Sequence, residues 1–276
     1  MKKISLLLLL LPSFAFASIT VKHTPTPGGI AVFDFESSHN NPRAFYRSIP
    51  LYTQHIEGTH WQTLLGIPLM EKAGKKFITI RDFSTRTLSV EIKVPQVKRP
   101  AKQNIKLKGK DKKYINPNAV HMDRIIKERS ILGKARLFYS DKILSDRLFS
   151  RPVSGVITSP FGIKRFYNGQ PRRPHTGLDY AGDTGTPIKA PAAGKVILVG
   201  NYFFNGNTIF LDHGQGLISV YIHMNKYIAK QGQKVKKGDI IGTIGQTGRT
   251  TGPHLHWGVY LNRTVINPNL LLEKTQ

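Results

Sequence analysis

The sequence predicts a mainly β protein, and three observations carry that expectation. Short apolar runs rich in valine and isoleucine recur along the chain, polar residues alternate with them at period two, and clusters of glycine, proline and asparagine separate them. With 25 glycines and 17 prolines in 276 residues, turns are well supplied.

The N-terminus comes first. Lys2 and Lys3 precede an unbroken apolar run from Leu6 to Leu11, followed by Ala15-Phe16-Ala17. This reads as a secretory signal peptide over residues 1–17, because the run is shorter than the roughly 20 residues a bilayer requires and the small residues suit cleavage before Ser18. No later segment is apolar enough to span a membrane, so the mature chain is expected outside the cytoplasm, in a periplasm or secreted. The absence of cysteine excludes disulfides, a lipid anchor and thiolate metal sites, so any metal must be held by His, Asp or Glu. The net charge of +25, densest between residues 101 and 152, suits an acidic polymer or an anionic membrane surface as partner. Nucleic-acid-binding motifs are absent, and nucleic acid is not expected as a partner.

The length fits two modest domains and a linker. Residues 18–100 read as a β-rich domain, with alternation at Ile78 and Ile80 and again at Leu88, Val90, Ile92 and Val94, and with Pro27-Gly28-Gly29 as a turn. His23, His39, His55 and His60 are scattered there without ligand spacing, so a binding or inhibitory role is expected of this domain. Residues 101–152 form a basic linker, solvated as far as Lys113. Asn116-Pro117 then offers an N-cap and a first helical residue. A helix should run to Gly133 with Val120, Ile125, Ile126, Ile131 and Leu132 as its packing face, and a second helical segment should reach Leu148.

Residues 153–276 read as strands between glycine turns, at residues 153–158, 186–200, 207–212, 217–223, 240–244 and 254–261. Within them, residues 185–191 and 233–242 resemble the half-motifs of barrel-sandwich hybrid folds. A hairpin presenting a lysine for lipoyl or biotinyl attachment is missing, which sets the carrier role aside.

Four of the ten histidines fall in three compact settings of this last domain: Pro174-His175-Thr176-Gly177-Leu178-Asp179, Tyr221-Ile222-His223-Met224 and Gly252-Pro253-His254-Leu255-His256-Trp257. In extended chain, residues two or four apart face one side, so His175 with Asp179, and His254 with His256, can each line a cleft. Two imidazoles and a carboxylate suffice for zinc with a fourth position open, and four histidines with one aspartate leave groups over for proton transfer.

With their flanks, these settings resemble the lysostaphin and LytM type of peptidoglycan metallopeptidase over roughly residues 153–270. The resemblance rests on Ser159-Pro160-Phe161-Gly162, on the run from Asn168 to Asp179, on Leu211-Asp212-His213-Gly214 leading to His223, and on the run from Gly245 to Trp257. It implies one Zn2+ ion held by His175, Asp179 and His256, with His223 and His254 as the catalytic pair, His254 as general base and His223 stabilising the tetrahedral intermediate, roles that the sequence leaves exchangeable. It further implies a zinc endopeptidase cutting peptidoglycan cross-links, at the D-alanyl to meso-diaminopimelate bond if the cell is Gram-negative. The layout upstream is similar to that of exported Gram-negative members. The competing reading is a catalytically silent wall-binding protein or amidase activator; an exported basic surface-binding protein is a third. His213 is expected to be structural and Tyr167 to pack, Met224 replaces a leucine common in the family, and a monomer is expected. A cleft covered by the N-terminal domain until displaced is a further expectation.

Overall fold

A computed structural model describes residues 21–93, 101–145 and 147–273. The expected signal peptide, and Val94 of the last predicted alternation, lie outside the described residues. No helix among the described residues is long and apolar enough to cross a membrane.

The N-terminal region is built from β1 (Ile30–Glu36), β2 (Arg43–Tyr46), β3 (Ile49–Pro50), β4 (Tyr52–Glu57), β5 (His60–Gly66), β6 (Gly74–Arg81) and β7 (Thr85–Ile92). β1, β5 and β4 make one antiparallel sheet, and β3, β2, β6 and β7 a second. Alternation is clean in β6, where Ile78 and Ile80 are fully buried and Lys75 and Arg81 face solvent. Ala31, Phe33, Leu51 and Leu65 meet those isoleucines in a core of their own.

The linker departs from expectation. Instead of a solvated stretch, it contains a strand, β8 (Lys102–Ile105). Gln103, Ile105 and Leu107 stand two apart and turn inward, Leu107 to full burial, while Lys102, Asn104 and Lys106 stay exposed. Period-two alternation was present, but the interleaved lysines masked it. Helix α1 (Ala119–Arg136) begins after an extended Asn118 rather than at Pro117 and is a single helix, with no helix over residues 138–145. Its packing face is also narrower than predicted. Ile125 and Leu132, two turns apart, are buried with Ala135, whereas Val120, Ile126 and Ile131 point to solvent. Leu132 and Ala135 pack on Tyr202, Phe210, Ile218 and Val220.

The C-terminal region continues with β9 (Ile157–Ser159), β10 (Lys164–Tyr167), β11 (Gln170–Pro171), β12 (Leu178–Ala181), β13 (Pro187–Lys189), β14 (Gly194–Tyr202), β15 (Gly206–Gly214), β16 (Leu217–Tyr227), β17 (Lys234–Val235), β18 (Ile240–Ile244), β19 (His254–Leu261) and β20 (Thr264–Ile266). The main sheet runs β17-β14-β15-β16-β19-β12-β9, with β18 bridging β13 and β16 and β20 beside β19. Its pairings are antiparallel, while β8 joins β10 in parallel in a small separate sheet. The fold is therefore mainly β, as predicted. The strands at 240–244 and 254–261 fall where expected, the run at 186–200 divides into β13 and β14, and β10 and β12 were not foreseen.

The two β regions meet through apolar contact. Val21, Ile30, Tyr52 and Leu64 belong to the same buried cluster as Leu178, Tyr180, Trp257 and Leu261.

Deep in that cluster lies His213, fully buried beside Phe149. Its Nδ1–H donates to the Ala193 carbonyl at 2.7 Å, and Nε2 faces the Ser219 hydroxyl at 2.7 Å. As expected, it is structural. Burial pushes its pKa down to about 4, against the hydrogen bond to Ala193 that favours the proton. Between pH 6.5 and 4 the unfolded chain takes up a proton that the folded chain refuses, so stability falls as pH drops through that window, by roughly 3 kcal/mol from this residue. In pH-dependent chemical denaturation at a fixed metal state, His213→Gln should flatten this slope by close to one proton.

Candidate metal centre

Strand register brings the predicted residues together. β12 and β19 pair antiparallel with Asp179 directly opposite His256, and Ile222 of β16 pairs with His256 from the other side. His175 lies in the loop just before β12, where its backbone N–H donates to Ile163 and its carbonyl accepts from Gly162. Gly177 makes the approach possible: a Cβ there would lie 2.8 Å from the His256 ring and 2.4 Å from the Trp257 carbonyl oxygen.

Three donor atoms converge. His175 Nε2 lies 2.9 Å from Asp179 Oδ1, His256 Nδ1 lies 2.8 Å from the same oxygen, and the two ring nitrogens are 2.9 Å apart. His175 Nδ1 gives its proton to the Pro160 carbonyl at 2.8 Å, which leaves Nε2 with a lone pair aimed at the other two donors. A carboxylate oxygen and imidazole lone pairs gathered this closely call for a cation between them. His175, Asp179 and His256 together could hold a metal ion. A tetrahedral ion with ligands at about 2.0–2.1 Å separates its donors by about 3.3 Å, so the triangle fits after opening a few tenths of an ångström.

The electrostatics agree. Burial alone would raise the Asp179 pKa, but its contacts with the His175 and His256 side chains outweigh it and hold the carboxyl well below the usual range. Burial pushes His256 down to about 4, with the Asp179 contact opposing it, so its ring is neutral and able to ligate at pH 7. Arg165 of β10 pairs with the second carboxylate oxygen, Oδ2, leaving Oδ1 for the cluster.

The other two predicted residues stand beside the triangle. His254 Nε2 is 3.9 Å from Asp179 Oδ1, and the His223 and His254 rings are 5.0 Å apart. Each gives its Nδ1 proton to a backbone carbonyl, His223 to Thr247 at 2.8 Å and His254 to Gly252 at 2.9 Å. Both therefore keep Nε2 free as a base. Burial, then repulsion from His254 and His256, drives the His223 pKa far below the ordinary value. Its backbone is unusual: φ is +63°, where the β15–β16 register slips just ahead of the β16–β18 irregularity at Met224–Lys226, and its N–H turns out of the ladder to Asn205. Such a conformation costs on the order of 1–3 kcal/mol and takes His223 off the regular strand alternation. Tyr167 is buried under the Arg249 guanidinium, 4.5 Å from its ring centroid, in the packing role expected.

Sequence reading did not single out Arg165, Thr247 or Thr250, whose hydroxyl lies 3.1 Å from His254 Nδ1. Arg165 sits in a Lys-Arg pair that reads as surface charge, and no spacing tied it to Asp179.

The fold and donor set define a mainly antiparallel β protein with a His-Asp-His group that could hold a metal ion. The model of Peptidase family M23 matches residues 173–268, and that of the Peptidase family M23 N-terminal domain matches residues 23–96. An M23 peptidase structure from Pseudomonas aeruginosa is 38% identical, with a TM-score of 0.74 over 90% of this chain and 95% of that one. The chain belongs to peptidase family M23. Its sequence relatives include the peptidoglycan DD-endopeptidase ShyA of Vibrio cholerae, 38% identical over 125 residues, which are 44% of this chain and 29% of that protein. The DD-carboxypeptidase/endopeptidase Mpg of Neisseria meningitidis is 39% identical over 112 residues, 41% of this chain and 26% of that protein. A metalloprotease of Buchnera aphidicola is 33% identical over 204 residues, 69% and 54%. The chain thus spans between about a quarter and about half of the length of these curated relatives.

Metal-free protein titrated with Co2+ should bind one equivalent and develop the absorption of a four-coordinate ion. Asp179→Ala should weaken uptake by more than about 100-fold, beyond the loss usual for an outer-shell change.

Proposed function

We propose that the chain is a zinc endopeptidase of bacterial peptidoglycan, acting in the periplasm on the D-alanyl to meso-diaminopimelate cross-link. The observation that carries this reading is the placing of two free imidazole Nε2 atoms, on His223 and His254, beside the His175–Asp179–His256 triangle. Membership of a peptidase family and the peptidoglycan activity named for ShyA support it.

Zinc bound by His175, Asp179 and His256 would activate water and polarise the scissile carbonyl. The chain's own groups do the rest. His254 Nε2 takes the proton of the attacking water and returns it to the leaving amine, while the carbonyl at Gly252 holds the opposite ring proton in place. The His223 ring is fixed by the Thr247 carbonyl, which holds its Nδ1 proton, so its free Nε2 can exchange the base role with His254 and would stabilise charge on the substrate oxygen only in the protonated form. The His254 and His256 side chains keep 19% and 12% exposure, so the centre opens to solvent on the side where a polymer would enter. The net charge of +25 favours a substrate whose stem peptides carry carboxylates.

Digestion of purified cross-linked peptidoglycan by the chain from Ser18 onward, with zinc or chelator, tests this reading. Zinc-dependent loss of cross-linked dimers, with the new ends identified by mass, is the expected outcome. His254→Ala should keep its zinc and lose about 10²–10⁴ in kcat. Sacculus binding without cleavage by the zinc-loaded parent would favour the silent wall-binding or activator reading instead.

A further inference from the structure

The reading of the site as a zinc centre leaves unexplained why a linker strand is built into it. β8 pairs in parallel with β10 so that Gln103 stands beside Arg165. Gln103 Oε1 accepts from Arg165 Nε at 3.0 Å and from the Ser159 hydroxyl at 3.1 Å. Both of those groups reach metal-ligand side chains. Ser159 Oγ lies 3.2 Å from His175 Nδ1, and Arg165 Nη2 bonds both Ser159 Oγ, at 3.1 Å, and Asp179 Oδ2. Ser159 is 2% exposed, and the Arg165 and Asp179 side chains are 14% and 8% exposed, so water competes poorly for these bonds.

We infer that Gln103, contributed by the linker, is a positioning residue of the metal centre, holding Asp179 and His175 in ligating geometry through Arg165 and Ser159. An arginine has several rotatable bonds and two free faces. One acceptor at Nε fixes the plane of the guanidinium, and that plane decides which carboxylate oxygen Nη2 engages. With Oδ2 engaged, Asp179 offers the metal Oδ1 alone. The same Gln103 oxygen takes the Ser159 proton, which leaves the Ser159 lone pairs to receive Arg165 and the longer branch of the His175 Nδ1–H, whose shorter branch goes to Pro160. Without Gln103 the guanidinium and the hydroxyl lose a common anchor, and both ligands gain freedom that metal binding must remove. The linker is then a working part of the site rather than a spacer.

This inference rests on the zinc reading above, and its test separates the two. Zinc affinity is measured by chelator competition on metal-free protein from Ser18 onward, beside the melting temperature of the metal-free form. Gln103→Ala, which changes no charge, should weaken zinc binding roughly 10-fold, within the range for outer-shell partners, at an unchanged metal-free melting temperature. Gln103→Glu, which keeps an oxygen acceptor, should restore the affinity. An unchanged zinc Kd in Gln103→Ala would overturn the inference and leave the zinc reading standing. A weaker Kd that comes with a lower metal-free melting temperature and is not restored by Gln103→Glu would mark a merely structural role and overturn it as well. A parent that takes up no zinc would remove the zinc reading and the inference together.

Discussion

Taking the Asp179 carboxylate out of water costs several kcal/mol unless other charges and hydrogen bonds replace the lost hydration, and much of the C-terminal architecture serves that replacement. The side chain is 8% exposed and is met by His175, His256 and Arg165. Those partners arrive from a loop, a neighbouring strand and a separate small sheet, so no single segment could supply them. The register of β12 against β19 is the decisive geometric choice. A slip of one residue would turn Asp179 or His256 to the opposite face of the sheet and leave a buried charge without partners. The buried ion and the strand pairing thus enforce each other.

The contrast between His213 and His256 shows how little the residue type alone decides. Burial lowers both to about the same pKa, near 4. His213, however, has both ring nitrogens engaged by neutral protein groups, a carbonyl and a hydroxyl, and so closes a structural network. His256 Nδ1 instead faces an ionised carboxylate and a second imidazole nitrogen. The arrangement of neighbours, rather than burial, separates a packing histidine from one able to ligate a metal.

The site was legible in the sequence to the extent that its side chains sit in short motifs. His175 and Asp179, and His254 and His256, fall at spacings that extended chain translates directly into a shared face, and the structure gathers all of these with His223. What escaped depends on tertiary placement. Arg165 reaches Asp179 from β10, which belongs to a separate sheet, and nothing local in Lys164-Arg165-Phe166 encodes that neighbour. The backbone of His223 sits at a register slip between β15 and β16, which no window of sequence contains. At the level of fold, the strands at 240–244 and 254–261 are legible as apolar runs between glycine turns, while β8 is hidden because lysines occupy its outer face. In α1 too many apolar residues were assigned to one face, because a count of apolar positions does not fix which side of a helix meets the sheet.

The N-terminal and C-terminal regions also share one core, and one close seam is where Gly66 lies against β19 and β20. A Cβ at residue 66 would stand 2.8 Å from the Leu261 carbonyl oxygen and 3.1 Å from Ile266 Cγ2. Over evolutionary time, the two regions are therefore not free to drift apart as interchangeable modules. A larger residue on one side of this seam requires a compensating change on the other, and a peptidase sheet transplanted onto a foreign partner would carry with it a surface shaped for a glycine.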